Sequence, residues 1–570
     1  MRRPQLLADL DPAHSRQAQI HQNQVGLERH RLVEARLSVA RQHRPEALLL
    51  EHHANCVAQA VVIVDYENRL HARSLIVTKL AVPAGYNCYT EGGLPPSRTM
   101  QITVIGTGYV GSVTGACLSF LGHHVTCVDT DAAKIAKWKS GQPPIYEPYL
   151  DEVVELASRR GGGIEFTTEL SGAARASDVV FIAVGTPPLP DGTPNLTYLE
   201  AAARGIGAAI DGSRFRVVVN KSTVPVGSGN LVEALVREGI AEARPAERDS
   251  IRFGVASNPE FLREGCAVSD SLYPDRIVVG ASDDQTLSLM RELYRPLLEQ
   301  SFEPPPSVPR PNGTTRAPLV ATSLTSAEMI KYAANAFLAM KIGFANEIAN
   351  ICERVGAEAT EVLYGIGRDS RIGSKFLNAG VGWGGSCFGK DVQALLHTAG
   401  EYGYAAKLLQ ASLDVNLAQR QMVIQKLQEK LFILKGRTIG LLGLAFKPDT
   451  DDLRDAPSLT IAERLLQMGA RIKAYDPIAM NACRDLYPEL KIRYCSSARE
   501  VAQEADALVL VTEWKEFAAL PLAELASLMA KPVLVDGRNL YAPEAAAAAG
   551  FDYTGIGRSP HSAHLRPVTT

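Results

Sequence analysis

One cysteine of this chain stands in an unusual setting, Gly380-Val-Gly382-Trp-Gly384-Gly385-Ser386-Cys387-Phe388-Gly389-Lys390-Asp391. The glycines ahead of Cys387 let backbone approach a ligand closely and leave the sulfur accessible. The charges directly after it include a cation, which lowers a thiol pKa and favours the nucleophilic thiolate. Cys117, Cys127, Cys266, Cys352, Cys483 and Cys495 lack that setting and read as inert, buried thiols. A second constellation, Gly106-Thr-Gly108-Tyr109-Val110-Gly111, follows an apolar run and opens an apolar helix. Its first glycine permits a tight turn, its second admits a pyrophosphate, and its third lets helix and strand pack, while the helix N-terminus faces the phosphate charge. Asp129 ends the next strand, where a carboxylate accepts from a ribose 2′-hydroxyl and repels a 2′-phosphate, so NAD is favoured over NADP. Lys134, a helical turn further on, is either an adenosine-ribose contact or a solvated helix lysine.

The elements that position these residues begin at Met100. From there strands alternate with helical patterns, the signature of a parallel α/β sheet. The pattern predicts strands at 101–105, 124–128, 179–184, 216–219, 252–256 and 276–279. The loops after two of them, Val184-Gly185-Thr186-Pro187 and Lys221-Ser222-Thr223-Val224-Pro225-Val226-Gly227, are either bare turns or the crevice loops at the carboxyl ends of a doubly wound sheet. A Pro-rich stretch, 303–318, reads as a loop. A long helix is predicted from Ser326 to about Val355, with Thr325 and Glu328 as a capping box and Gly356 at its end. Its mixed apolar faces suit a dimer interface. A second strand–glycine–helix unit starts at Thr438-Ile-Gly-Leu-Leu-Gly443, with its next strand at Arg471 to Tyr475. The expected fold is α/β, with two Rossmann-like doubly wound domains joined by a long central helix. The expected division is 100–310, 311–430 and 431–545, with a tail at 546–570.

Residues 1–99 differ: they are rich in histidine and arginine, hold a single lysine, Lys79, and show no sustained apolar period. They read as sequence upstream of a natural start at Met100, or as a regulatory or targeting arm. Deleting them is expected to leave activity intact. The formal net charge of −3 is unlike that of a basic nucleic-acid binder. No apolar run approaches the ~20 residues of a membrane span. The nine cysteines form neither a metal-spaced cluster nor a disulfide framework, which points to no metal and a reducing cytoplasm.

With these motifs in hand the chain resembles the UDP-glucose/GDP-mannose dehydrogenase family over about residues 100–545. The resemblance rests on an ordered set. Gly106 to Gly111 is followed by Ser222-Thr-Val-Pro-Val-Gly227, Asn258-Pro-Glu-Phe-Leu-Arg-Glu-Gly265 and Pro274-Asp-Arg-Ile-Val-Val-Gly280. Lys331-Tyr-Ala-Ala-Asn335, Gly384-Gly-Ser-Cys-Phe388, Gly443-Leu-Ala-Phe-Lys-Pro448 and Asp536-Gly-Arg-Asn539 complete it. It implies a four-electron oxidation of the C6 alcohol of UDP-glucose to UDP-glucuronate with two NAD per sugar. Cys387 would form a thiohemiacetal and then a thioester, which water hydrolyses.

The resemblance also implies roles. Lys331 and Asn335, at i and i+4, share a helix face; Lys331 would transfer a proton or stabilise an oxyanion, and Asn335 would orient the sugar. Glu260 would be acid/base for the hydrolytic water, Asp391 would order a water or the lysine, and Thr223 would hold a water. Gly106, Gly108, Tyr109, Val110, Gly111, Asp129, Lys134, Thr186, Ser222, Thr223, Glu264, Lys390 and Arg454 would serve the cofactor. Glu260, Phe261, Leu262, Glu264, Phe376, Leu377, Asn378, Gly380 and Gly384 would meet the substrate. So would Lys447 at the pyrophosphate, Arg538, and Arg371 reaching a partner subunit's site. The family usually has proline where this chain has Gly389. That loop would be more flexible here without losing the chemistry. Rival readings are a sibling enzyme for GDP-mannose or a UDP-N-acetylhexosamine, and a non-catalytic nucleotide-sugar binder.

Overall fold

The computed structural model describes residues 98–159, 163–187, 189 and 193–558. The readings of residues 1–97, and of the tail from 559 onward, lie outside the described residues.

Two sheets dominate. The first has eight strands: β1 (Gln101–Ile105), β2 (His124–Val128), β3 (Gly163–Thr167), β4 (Val179–Ile182), β5 (Arg216–Asn220), β6 (Phe253–Ser257), β7 (Ile277–Ala281) and β8 (Leu319–Thr322). Their order is β3-β2-β1-β4-β5-β6-β7-β8. All neighbours run parallel except β6 and β7, which pair antiparallel. The second sheet has six: β9 (Thr438–Leu442), β10 (Arg471–Tyr475), β11 (Ile492–Tyr494), β12 (Ala507–Leu510), β13 (Val533–Asp536) and β14 (Asp552–Gly555). Its order, β11-β10-β9-β12-β13-β14, repeats the winding of the first. In both, strand order reverses beside the first strand, which places a ligand crevice at β1/β4 and another at β9/β12.

Central strands are buried on both faces, so they read as continuous apolar runs: β4 is Val-Val-Phe-Ile with every side chain buried. Helix α1 (Tyr109–Phe120) lies close on the sheet because it is built of small residues there; a Cβ on Gly115 would overlap Cys127 Sγ. The long helix α2 (Leu324–Val355) carries 32 residues, a length of ~48 Å. Gly356 ends it in the left-handed region at φ 78°. The predicted capping box is not formed. Ser323 is the N-cap, accepting from Ser326 N–H at 3.2 Å. Glu328 instead turns inward and accepts from the N–H groups of Gly227 and Gly229 and from Ser257. The 303–318 stretch is a loop. Helices α3 (Phe388–Glu401) and α4 (Lys407–Leu431) pack on α2 and complete the helical middle.

Candidate active site

A cleft of about 1340 Å³ runs between the β1/β4 switch point and the loops after β9. Its dinucleotide end is built as the spacing predicts. Gly106 adopts φ +99°, and a Cβ there would run into the carbonyl of Ala183. At Gly108 a Cβ would meet nothing within 4 Å, so the loop is open toward the cleft. Helix α1 has no side-chain N-cap, which leaves its first amides for an incoming phosphate. Asp129 accepts from Thr107 N–H and Thr107 Oγ1, both at 2.8 Å. Burial pushes its carboxyl up, but these donors and the Asp131 N–H outweigh burial and hold it below the usual range. The residues present therefore fit a dinucleotide with a free 2′-hydroxyl. Gly108, Tyr109, Val110, Thr186, Ser222, Thr223, Glu264, Lys390 and Arg454 all line the cleft. Lys134 is exposed on its helix beside Asp129.

The chemical end joins three chain segments. Cys387 stands at the N-terminus of α3 and is exposed to the cleft, with Ser386 Oγ 3.5 Å from its sulfur. Behind it, on α2, Lys331 Nζ donates to Glu260 Oε1 at 2.8 Å, both residues being more than nine-tenths buried. Burial favours neutral forms of both. For Glu260 the Lys331 ammonium, the Leu262 N–H and Lys221 outweigh burial and keep the carboxyl low. For Lys331 burial is likewise outweighed by Glu260, Cys387 and Asp391, which hold the ammonium high. The pair is ionised. Cys387 departs from expectation: burial pushes its thiol up, and Lys331, already matched by Glu260, does not reverse this. Asp391 accepts from Asn335 Nδ2 at 2.6 Å and from Lys390 Nζ at 2.8 Å.

The second sheet closes the other wall. Lys447 Nζ donates to the Glu264 carbonyl at 2.5 Å, and Arg454 bridges Glu264 and Asp452. Burial and the neighbouring Asp452 carboxylate push Glu264 up to about 7. Arg538 donates to Val511 O at 2.8 Å and Gly382 O at 3.2 Å. Gly380 is clamped between Asn346 and Gln419, and a Cβ on Gly384 would strike the Asp455 carbonyl. Leu262 lines the cleft, whereas Phe261 is covered by the Arg276 guanidinium at 3.7 Å. Phe376, Leu377 and Asn378 do not line it, and Arg371 points to solvent, paired with Asp369. Sequence reasoning missed Lys221, which lines the cleft and donates to Asn258 Oδ1 at 3.0 Å. Its signal was a lysine at the end of a wholly buried strand. Glu147, buried beside Tyr109, left no signal.

Such a cleft, with one switch point for a dinucleotide and a second facing it, belongs to a nicotinamide-dependent oxidoreductase whose substrate carries a nucleotide of its own. Residues 100–298 match the NAD binding domain of the UDP-glucose/GDP-mannose dehydrogenase family, 325–418 its central domain and 440–543 its UDP binding domain. The chain belongs to that family, its cofactor is NAD, and its substrate is a nucleotide sugar. It is 47% identical over 464 residues to the UDP-glucose 6-dehydrogenase of Rhizobium meliloti (strain 1021), spanning 80% of this chain and 100% of that one. To the UDP-glucose 6-dehydrogenase YwqF of Bacillus subtilis (strain 168) it is 45% identical over 459 residues, spanning 80% and 98%. A UDP-glucose dehydrogenase structure from Pyrobaculum islandicum superposes with TM-score 0.71 at 37% identity, covering 82% of this chain and 100% of that one. Among the described residues no helix is long and apolar enough to cross a membrane, and no cluster of His, Cys, Asp and Glu suits a metal ion.

Proposed function

We propose that the chain oxidises the C6 alcohol of UDP-glucose to UDP-glucuronate in two oxidations, with Cys387 holding the aldehyde between them. The observation that carries this reading is a cysteine opening on the cleft directly in front of a buried, ionised Lys331–Glu260 pair. The names of the relatives support the sugar. NAD, when bound, supplies the hydride acceptor for each oxidation. Lys331, kept as an ammonium, stabilises oxyanion character at C6 and at the thiohemiacetal oxygen. The Cys387 thiol is protonated at rest, so as sulfur bonds to C6 the C=O π bond opens and the thiol proton passes to the former carbonyl oxygen, giving the thiohemiacetal. That adduct turns an unreactive aldehyde hydrogen into one that can depart as hydride, and the oxidised adduct is a thioester. Glu260, held ionised, takes the proton of the attacking water, which Thr223 and Asp391 order. Asn335, fixed by Asp391, orients the sugar.

On this reading Lys447 and Arg538 meet the diphosphate and uridine side, and Arg371 serves the site of a second subunit. A homodimer through α2 is supported by its exposed Phe337, Phe344, Ile351 and Val355. The domain division 100–310, 311–430 and 431–545 and a cytoplasmic location belong to the same proposal. The test is NADH formed per sugar across UDP-glucose, GDP-mannose and UDP-N-acetylhexosamines. Two equivalents with UDP-glucose are expected; one means arrest at the aldehyde, and none means a binding role. Cys387→Ser is expected to stop or greatly slow the second oxidation, and undiminished double oxidation would refute its role.

A further inference from the structure

Glu147 lies in an irregular stretch before the helix Leu150–Arg159 and is buried, yet among the described residues no cation pairs with it. Its carboxylate is instead satisfied by donors from two functional loops. Tyr109, the first residue of α1 and part of the dinucleotide loop, donates its hydroxyl to Oε2. Gly265, which ends the Asn258–Gly265 segment, donates its N–H to the same oxygen at 2.7 Å and shares it with Tyr109 Oη at 2.9 Å. Ala267 and Val268 donate to Oε1 at 2.7 and 3.3 Å. Four charge-assisted bonds on one buried carboxylate make a stiff joint, because the Glu147 charge, shut away from water, depends on these donors for its solvation.

The joint continues into the second sheet. Gly265 sits at φ +79° against the Asp449 carbonyl, where a Cβ would not fit. Its neighbour Glu264 is gripped by Lys447, Thr450 and Arg454. An unbroken chain of contacts thus runs from the dinucleotide loop through Glu147 to the 260–265 segment and on to the loop after β9.

We propose that Glu147 is a positioning residue that couples occupancy of the dinucleotide end to occupancy of the nucleotide-sugar end, through Tyr109 and Gly265. This rests on the reading that 260–265 and Lys447 face the sugar nucleotide. The probes are NADH and UDP, which bind without turnover. NADH affinity is measured by fluorescence on the full chain with and without saturating UDP, for wild type, Glu147→Gln and Tyr109→Phe. Wild type is expected to bind NADH at least ~5-fold more tightly with UDP present, within the usual range of coupling between sites. Both variants are expected to bring that ratio to within ~2-fold of unity. A merely structural role moves melting temperature but leaves the ratio. Tyr109→Phe keeps the backbone donors on Glu147, so it decides the matter should Glu147→Gln fail to fold. A wild-type ratio of one, or an unchanged ratio in Tyr109→Phe, overturns the proposal. NADH yield from UDP-glucose tests the sugar reading separately.

Discussion

Replacing Lys331 with Met removes a charge that donates to Glu260, 2.8 Å away, in a setting where both residues are more than nine-tenths buried. Screening by solvent does not discount the pair as it would at a surface. Breaking a buried pair by deleting one partner costs about 3–5 kcal/mol. Here the Leu262 N–H and Lys221 still favour the carboxylate, which puts the loss at the lower end, about 3 kcal/mol at pH 7.5. The pH dependence follows from the directions. In the wild type Glu260 titrates below its usual range, so its stabilisation is present at neutral pH and fades as pH falls through that range. In the variant burial, its largest influence, drives the carboxyl above its usual range, and the penalty grows as pH rises. The stability gap is therefore widest near neutrality and narrows toward pH 4–5, roughly the carboxylate range. Chemical denaturation followed by tryptophan fluorescence reads it, since Trp383 lies on the cleft wall. Adding Glu260→Gln in the Lys331→Met background is expected to recover about half of the loss by removing the stranded charge. Turnover should fall by about 10²–10³, the usual cost of losing an oxyanion partner. A gap below about 1 kcal/mol, or one that is flat with pH, would refute the ionised-pair argument.

Three further outcomes follow from the same geometry. Gly389→Pro is expected to raise stability by about 0.4–1 kcal/mol with turnover retained, because the residue lies in the first turn of α3 and a Cβ there meets only ordinary contacts at 3.5 and 3.6 Å; thermal melting and NADH production check it. Lys221, pushed down to about 8 by burial, is charged below that pH and neutral above it, so Glu260 loses a supporting cation as pH rises. An alkaline limb near pH 8 in the hydrolytic step is expected in wild type and absent in Lys221→Met, and a shared limb would assign it elsewhere. Asp129→Asn weakens the bonds from Thr107 and Asp131 and is expected to raise the KM for NAD about 5–30-fold with little change in kcat, from a loss of about 1–2 kcal/mol read in initial-rate kinetics.

Which parts of this were legible depended on whether the determining interactions are local. The Gly106–Gly111 turn, the strand before it and Asp129 are one contiguous device, and the structure has them where the spacing puts them. Strands β3 and β8 escaped because both are sheet edges and half-exposed, which thins the apolar run that marks a buried strand. β12 and β13, four residues each, are too short to be told from buried helix by periodicity. Glu328 shows a local rule losing to a distant one: its spacing from Thr325 suits a cap, but three donors from Gly227, Gly229 and Ser257 offer a buried carboxylate more than one N-terminal amide does.

At the site, motif identity and charge state separate in the same way. The motifs name Cys387, Lys331 and Glu260 individually, yet whether a cation activates the thiol depends on what else that cation touches. Burial is what chiefly leaves the thiol protonated, and the contact of Lys331 with Glu260, 71 residues apart in the chain, keeps the ammonium from reversing it. A cysteine beside a lysine therefore reads as a thiolate in one dimension and as a thiol in three. If nucleotide-sugar binding draws the ammonium from Glu260 toward the reacting oxygen, the same lysine becomes the thiol's activator only when the aldehyde is in place. Removing Glu260 frees the same ammonium without a ligand, so iodoacetamide alkylation of Cys387 accelerates in Glu260→Gln, and a rate indifferent to that substitution would sever the link between this pair and the sulfur.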